Sequence, residues 1–293
     1  MSFIRGVILV VAASIMWGVS GVCGQFLFQN YHTNAGWLIT VRQFVAGALF
    51  LGYLLYRGRS VFRIFHNKAD TIELLAFTFL GLLGAQYGFY YNVSLSNAAT
   101  ATVLQYTAPI FVVLWGAYVH KRQPEGREIL GIVLALVGVF MISTHGQIDE
   151  LVISPEALFW GGISAVALAF YMVVPGNILK KYTTMEVMGW GQMLSGVFLS
   201  FFFNPLDCGT GWDAASIAAM GYIVLLGTVA AFTLFLQGVI IIGPTKASLI
   251  SCAEPLSSIL CVVAFLGTRL GWADIFGMLC IIVTVLLLSI TKK

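Results

Sequence analysis

Gln105-Tyr106-Thr107-Ala108-Pro109 and its echo Ser251-Cys252-Ala253-Glu254-Pro255 each fall in the middle of a long apolar run. Each run is about 20 residues, the length that crosses a bilayer as a helix. A proline at such a point removes a backbone donor and displaces the carbonyl four residues earlier, here that of Gln105 or Ser251. The two prolines stand 146 residues apart in a chain of 293. That offset continues without a gap from Gly81 to Val139. It pairs Gly81 with Gly227, Phe89 with Phe235, Ala101 with Ala247 and Gly131 with Gly277. One helical unit has been duplicated.

The surrounding composition decides the solvent. Hydrophobic residues make up 59% of the chain and charged residues 9%, against about 25% charged in an ordinary soluble domain. A net charge of +3 gives no argument for nucleic acid, and the five cysteines do not form a disulfide framework. The first apolar run is too long for a signal peptide and is followed by many like it. The expected fold is an all-α integral membrane protein. Ten transmembrane helices are predicted, from Gly6–Phe28 through Ala98–Val119 and Thr245–Leu266 to Trp272–Ile290.

Lysine and arginine orient those helices. Arg5, Arg57, Arg59, Arg63, Lys68, Lys121, Arg122, Arg127, Lys180, Lys181, Lys246, Lys292 and Lys293 fall on one side, while Asp149, Glu150, Asp207 and Asp213 fall on the other with Arg269. Both termini are therefore expected in the cytoplasm, with the chain in the cell (inner) membrane. Five helices per half is an odd number, so the second half enters from the opposite face. Residues 1–146 and 147–293 are thus expected to form two inverted five-helix repeats, an arrangement typical of secondary transporters.

Few residues in the apolar runs carry chemistry. Glu254 is the one acidic residue predicted deep in the membrane. A carboxylate there costs about 3 kcal/mol on insertion scales, and a buried carboxyl holds its proton more readily than one in water. It is expected to carry a coupling proton or to receive a substrate ammonium. Arg42 lies inside the second helix and can snorkel outward, pair with Glu254 or hold a substrate carboxylate. Gln43 aligns with Gln192 in the second half. Tyr87, Tyr91, Gln105 and Tyr106 are expected to line a central cavity, with Pro109 and Pro255 as hinges. Pro175 has no partner in the repeat.

Two other classes compete with a carrier. A passive channel or lipid-handling protein shares the composition. A membrane-embedded enzyme is hinted at by Gly18-Val19-Ser20-Gly21, but the four histidines fall at or beyond helix ends, away from Ser20. No phosphate-binding loop and no metal-ligand cluster is evident, so neither a metal nor a cofactor is expected beyond a proton.

At these residues the chain resembles the EamA branch of the drug/metabolite transporter superfamily. The resemblance covers essentially the whole chain. It rests on Ala13-Ser14-Ile15-Met16-Trp17-Gly18, Val41-Arg42-Gln43-Phe44, the run Asn97 to Pro109, and the pairs Glu254-Pro255 and Gly131/Gly277. It implies a secondary transporter of small organic metabolites, such as amino acids or amphipathic drug-like compounds, often an exporter, with a homodimer compatible with the pattern. Members commonly carry a glutamate after the fourth helix of each unit. Here those places read His120-Lys121-Arg122 and Gly267-Thr268-Arg269, so that role does not transfer.

Overall fold

A computed structural model describes residues 2–119, 126–144, 153–207, 211–242, 253–267 and 269–289, with positions 121, 123, 250 and 251. The described residues are helical and contain no strand. In chain order we name α1 Ser2–Tyr31, α2 Ala35–Tyr56, α3 Lys68–Leu95, α4a Ala98–Gln105, α4b Ala108–Val119 and α5 Gly126–Thr144. The second half gives α6 Pro155–Val173, α7 Thr184–Ser200, α8 Ala214–Ile242, α9 Ala253–Leu266 and α10 Trp272–Ser289. Five of them (α1, α2, α3, α6 and α8) are long and apolar enough to cross a membrane. Large hydrophobic side chains such as Ile8, Phe44, Tyr53, Leu80 and Ile240 face outward, as lipid requires.

Most helices begin on a side chain that accepts from the first turn, which satisfies donors the helix itself cannot. Asn34, Asn67 and Asn97 cap α2, α3 and α4a, and Ser154, Thr183 and Asp213 cap α6, α7 and α8. Pro175 ends α6 in a short 3₁₀ turn over Val174–Gly176.

The repeat offset reappears in the backbone. A π-helical stretch covers Phe77–Leu83 in α3, and another covers Tyr222–Ala230 in α8. The prolines differ from the expected kinks. Instead of one bent span, the fourth run breaks into α4a and α4b across Tyr106 and Thr107, and Pro109 is the second residue of α4b. Pro255 is likewise the third residue of α9, just past a turn at Ser251. In a first turn the missing N–H costs nothing, because it would have no intrahelical partner.

Packing exchanges equivalent helices between the halves. α1 lies against α8 and α9, while α6 lies against α3 and α4. The α1–α8 contact is antiparallel: Gly6 meets Ile241 and Ile242, Gly238 meets Val10, and Gly227 meets Ser20. The α3–α6 contact runs the same way, from Gly81 at Tyr171 to Gly88 at Ser164. α2 and α7 are also antiparallel and touch backbone to backbone, Gly47 on Met193 and Gly196 on Phe44. Glycines at these crossings allow the close approach that replaces hydrophobic burial as the packing force in lipid.

Each end of the molecule carries the same pair of ties. At the lysine- and arginine-rich end, Tyr182 Oη donates to Asp70 at 2.9 Å and Trp190 Nε1 donates to the Val61 carbonyl at 2.7 Å. At the other end, Tyr31 Oη donates to Asp213 at 2.8 Å and Trp37 Nε1 to the Pro205 carbonyl at 3.1 Å. Both pairs join one half to the other. The first end adds an ion pair, Lys181 Nζ to Asp70 at 2.7 Å.

Candidate functional site

A cavity of about 180 Å³ opens where the two halves meet, walled by α1, α2, α3 and α4a on one side and by α6, α8 and α9 on the other. The duplicated backbone dictates much of its lining. Gln86 and Phe232, Phe89 and Phe235, and Gln105 and Ser251 are pairs at the 146-residue offset, and all six line it. Trp17 and Leu168, and Ser20 and Tyr171, are a further two pairs, 151 residues apart. The frame is symmetric and the chemistry is not. Ser20, Arg42, Gln86, Tyr90, Gln105 and Tyr106 bring most of the polar atoms from the first half. Leu168, Met172, Phe232 and Phe235 make an apolar wall from the second, with Glu254 beside it.

The broken fourth helix places its polar residues at this centre. Gln105 ends α4a, and its Nε2 donates to the Ala85 carbonyl at 3.1 Å and to Ser164 Oγ at 2.7 Å. Tyr106, in the break itself, reaches across to the other half. Its hydroxyl lies 2.9 Å from Glu254 Oε2 and 3.0 Å from the Ser251 carbonyl, so its single proton is shared between them. Irregular backbone at membrane depth is tolerated where it lines such a cavity.

Arg42 is only 5% exposed. Its Nε donates to Thr228 Oγ1 of α8 at 2.7 Å, and its guanidinium carbon sits 4.9 Å from the centre of the Tyr90 ring. A cation over a desolvated aromatic face gains about 2 kcal/mol. Tyr90 is itself fixed, with its hydroxyl 2.8 Å from Ser20 Oγ and 3.2 Å from the Ser20 carbonyl. Arg42 and Glu254 thus face one cavity from opposite halves, yet among the described residues no ion pair joins them.

Other residues singled out from the sequence lie elsewhere. Tyr87 and Tyr91 stack on each other at 5.7 Å and pack on Trp160, and Tyr91 Oη reaches Glu156 at 3.3 Å. They form an aromatic cluster outside the cavity lining, where α3 ends and α6 begins. Gln43 is fully buried off the cavity, as is its counterpart Gln192. Pro255 is buried in the first turn of α9. Ser20 touches a phenol rather than an imidazole or carboxylate. Sequence reasoning overlooked Trp17, Thr228, Phe232 and Phe235. The pairing of Phe235 with Phe89 across the repeat was the one signal in the sequence that pointed to this wall.

Comparison with known proteins agrees with this architecture. The model of the EamA-like transporter family matches residues 4–144 and again 156–290. An "uncharacterized inner membrane transporter YicL" of Salmonella typhimurium is 36% identical over 289 residues, covering 99% of this chain and 96% of its own. An "uncharacterized transporter YetK" of Bacillus subtilis is 23% identical over 234 residues, covering 78% of this chain and 70% of its own. A solved crystal structure superposes with a TM-score of 0.65 at 17% identity, covering 96% of this chain and 95% of that one, which speaks to the fold alone. With two matched repeats, a full-length relative and a helical, lipid-facing exterior, this multi-pass membrane protein belongs to the EamA-like transporter family.

Proposed function

We propose that the chain is a secondary carrier that exports a small amphipathic metabolite by alternating access. In this reading ten helices cross the inner membrane as two inverted five-helix units, residues 1–146 and 147–293, with both termini in the cytoplasm. The antiparallel contacts support the inversion. If α1 to α3 alternate in direction, α6 must oppose α3, α7 must oppose α2 and α8 must oppose α1. Each of those contacts runs antiparallel.

The observation that carries the proposal is the cavity on the boundary between the halves, with one cation, one carboxylate and an apolar wall. A polar head fits between Arg42 and the Tyr106–Glu254 pair, and an apolar body fits against Phe232, Phe235 and Trp17. Glu254 carries the coupling proton or receives a cargo ammonium. The helix break at Tyr106 and the turn at Ser251 let the units rock about Pro109 and Pro255. The ties at the two ends then serve as gates, one released at a time.

Counterflow from proteoliposomes tests this. A carrier loaded with unlabelled cargo accumulates labelled cargo transiently, and Glu254→Gln abolishes its pH dependence. Uptake without trans-stimulation would mean a channel instead, and counterflow by Glu254→Gln with an unchanged pH profile would remove the coupling role. The orientation has its own check, drawn from the sequence alone: Cys208, which lies outside the described residues, should react with an impermeant thiol reagent added outside intact cells. Labelling only after lysis would reverse the topology.

A further inference from the structure

The guanidinium of Arg42 and the carboxylate of Glu254 line the same small cavity without joining. Opposite charges in a poorly screened space are drawn together, so something holds them apart. The hydroxyl of Thr228 is placed to do so. It is fully buried and donates its one proton to the Ile223 carbonyl, five residues back, at 2.8 Å. In an ordinary helix a threonine hydroxyl bonds the carbonyl three or four residues back. The five-residue reach follows the π-helical winding over Tyr222–Ala230. With its proton committed, the oxygen presents lone pairs to Arg42 Nε at 2.7 Å. Tyr90 closes the other side, its ring against the guanidinium and its hydroxyl tied to Ser20. π-helical turns recur at functional sites. Here the turn gives a neutral group the orientation that an anchoring acceptor needs.

We propose that Thr228 is a positioning residue that holds Arg42 apart from Glu254, so that the guanidinium and a carboxyl free to take up and release a proton both stay available to a bound molecule. The inference rests on the cavity being the cargo site. Without the anchor the guanidinium swings to Glu254 and the site neutralises itself.

The test needs no cargo. Purified protein in lipid nanodiscs is treated with dicyclohexylcarbodiimide at pH 7, and the adduct on Glu254 is quantified by peptide mass spectrometry. The reagent attacks a protonated carboxyl and spares one paired with a guanidinium. Thr228→Val should cut labelling about tenfold, because an opposite charge within reach keeps a carboxyl ionised. Thr228→Ser keeps the hydroxyl and should label as the wild type does. Adding Arg42→Gln to Thr228→Val should restore labelling, since no cation is left to move; a merely damaged fold would not be repaired that way. Arg42→Lys has no Nε to bond Thr228 and should lower labelling without touching α8. Wild-type labelling in a folded Thr228→Val protein, no rescue by Arg42→Gln, or no adduct on Glu254 in the wild type would overturn the inference. Because counterflow plays no part, either result stands apart from the carrier proposal.

Discussion

The crossing of α2 and α7 offers a quantitative test of the duplicated architecture. A Cβ added at Gly47 would lie 2.5 Å from Met193 N and 2.7 Å from Met193 Cα; one added at Gly196 would lie 2.5 Å from Phe44 N and 2.7 Å from Phe44 Cα. Ordinary contact begins at 3.4 Å. Both obstacles are backbone atoms of a helix and cannot rotate away, so either alanine must push the helices apart by about 0.9 Å, the difference between those distances. Overpacking of this kind costs about 1–3 kcal/mol. Alanine recovers up to about 1 kcal/mol of helix propensity over glycine, leaving each single substitution about 1–2 kcal/mol less stable. The two clashes share one relief, since a single separation of the helices removes both. The double variant should therefore cost less than the sum, with a coupling of about 1 kcal/mol, within the range for neighbouring residues. Gly52→Ala is the control: it lies on the same helix with nothing within 4 Å, and should be neutral or slightly stabilising. Unfolding in mixed micelles by titration with a denaturing detergent, followed by circular dichroism, measures all four. If Gly47→Ala matches Gly52→Ala, or the double variant costs the full sum, α2 and α7 do not cross at these glycines.

Further outcomes follow from the polar contacts. Tyr106→Phe removes a hydroxyl that links the break after α4a to the turn at Ser251 and to Glu254, and should cost about 1–3 kcal/mol in the same titration, the range for depriving a buried acceptor; an unchanged midpoint would deny the bridge. Tyr31→Phe and Tyr182→Phe should have opposite effects on a cysteine placed at Gln86 in a background without native cysteines. The first should speed its reaction with an impermeant thiol reagent from outside, and the second should slow it; equal shifts would deny that the two ties are gates. Stability should depend on pH at both extremes. The backbone N–H of Ser216 and the hydroxyl of Tyr31 hold Asp213 below the usual carboxylate range. Its contribution is present above the unfolded value of about 3.9 and is lost as pH falls through the folded value. The hydrogen bond to Asp70 raises Lys181, so that contribution is complete below about 10.4 and is lost as pH rises through the folded value. Thermal melts of Asp213→Asn should show a shallower acid limb, the remainder coming from the Asp70–Lys181 ion pair, and an unchanged alkaline one.

The architecture was largely legible because it is written as repetition. The unbroken offset from Gly81 to Val139 runs from the middle of α3 into α5, and the two π-helical stretches, which no local propensity would reveal, recur at equivalent positions around its start. Pro109 and Pro255 are legible as hinges within continuous spans, whereas the fourth run proves to be broken across Tyr106 and Thr107. A proline at mid-run fits either a bent helix or the first turn of a new one, and only the path of the chain decides between them. The cavity was harder still. In a chain that is 59% hydrophobic, an inward Phe232 cannot be told from an outward Phe44, because lipid and protein interior are equally apolar. The tyrosines of α3 show the same limit. Tyr87 and Tyr91 share one face and Tyr90 another, but polarity did not say which face turned inward. Tyr90 proved to be the buried one. The anchoring of Arg42 by Thr228 spans 186 residues and has no local signature at all.

Symmetry in the frame and asymmetry in the lining would answer two different needs of the carrier proposed above. Two units built on one pattern can close either end with the same kind of tie, and the tyrosine-to-aspartate and tryptophan-to-carbonyl bonds at both ends are such ties. States opened at opposite ends then differ little in energy, and a cargo needs only a modest preference to move the population between them. A lining with the same symmetry would waste that property, because a symmetric pocket cannot orient an asymmetric molecule. The exchange of Gln86 for Phe232, and of Ala108 for Glu254, at equivalent positions supplies a polar wall and an apolar one without disturbing the backbone that carries them. Substitutions that make the two walls alike, such as Phe232→Gln, should therefore leave the fold intact and weaken binding of amphipathic cargo. Substitutions that make the two ends unlike should leave binding intact and shift which end is open.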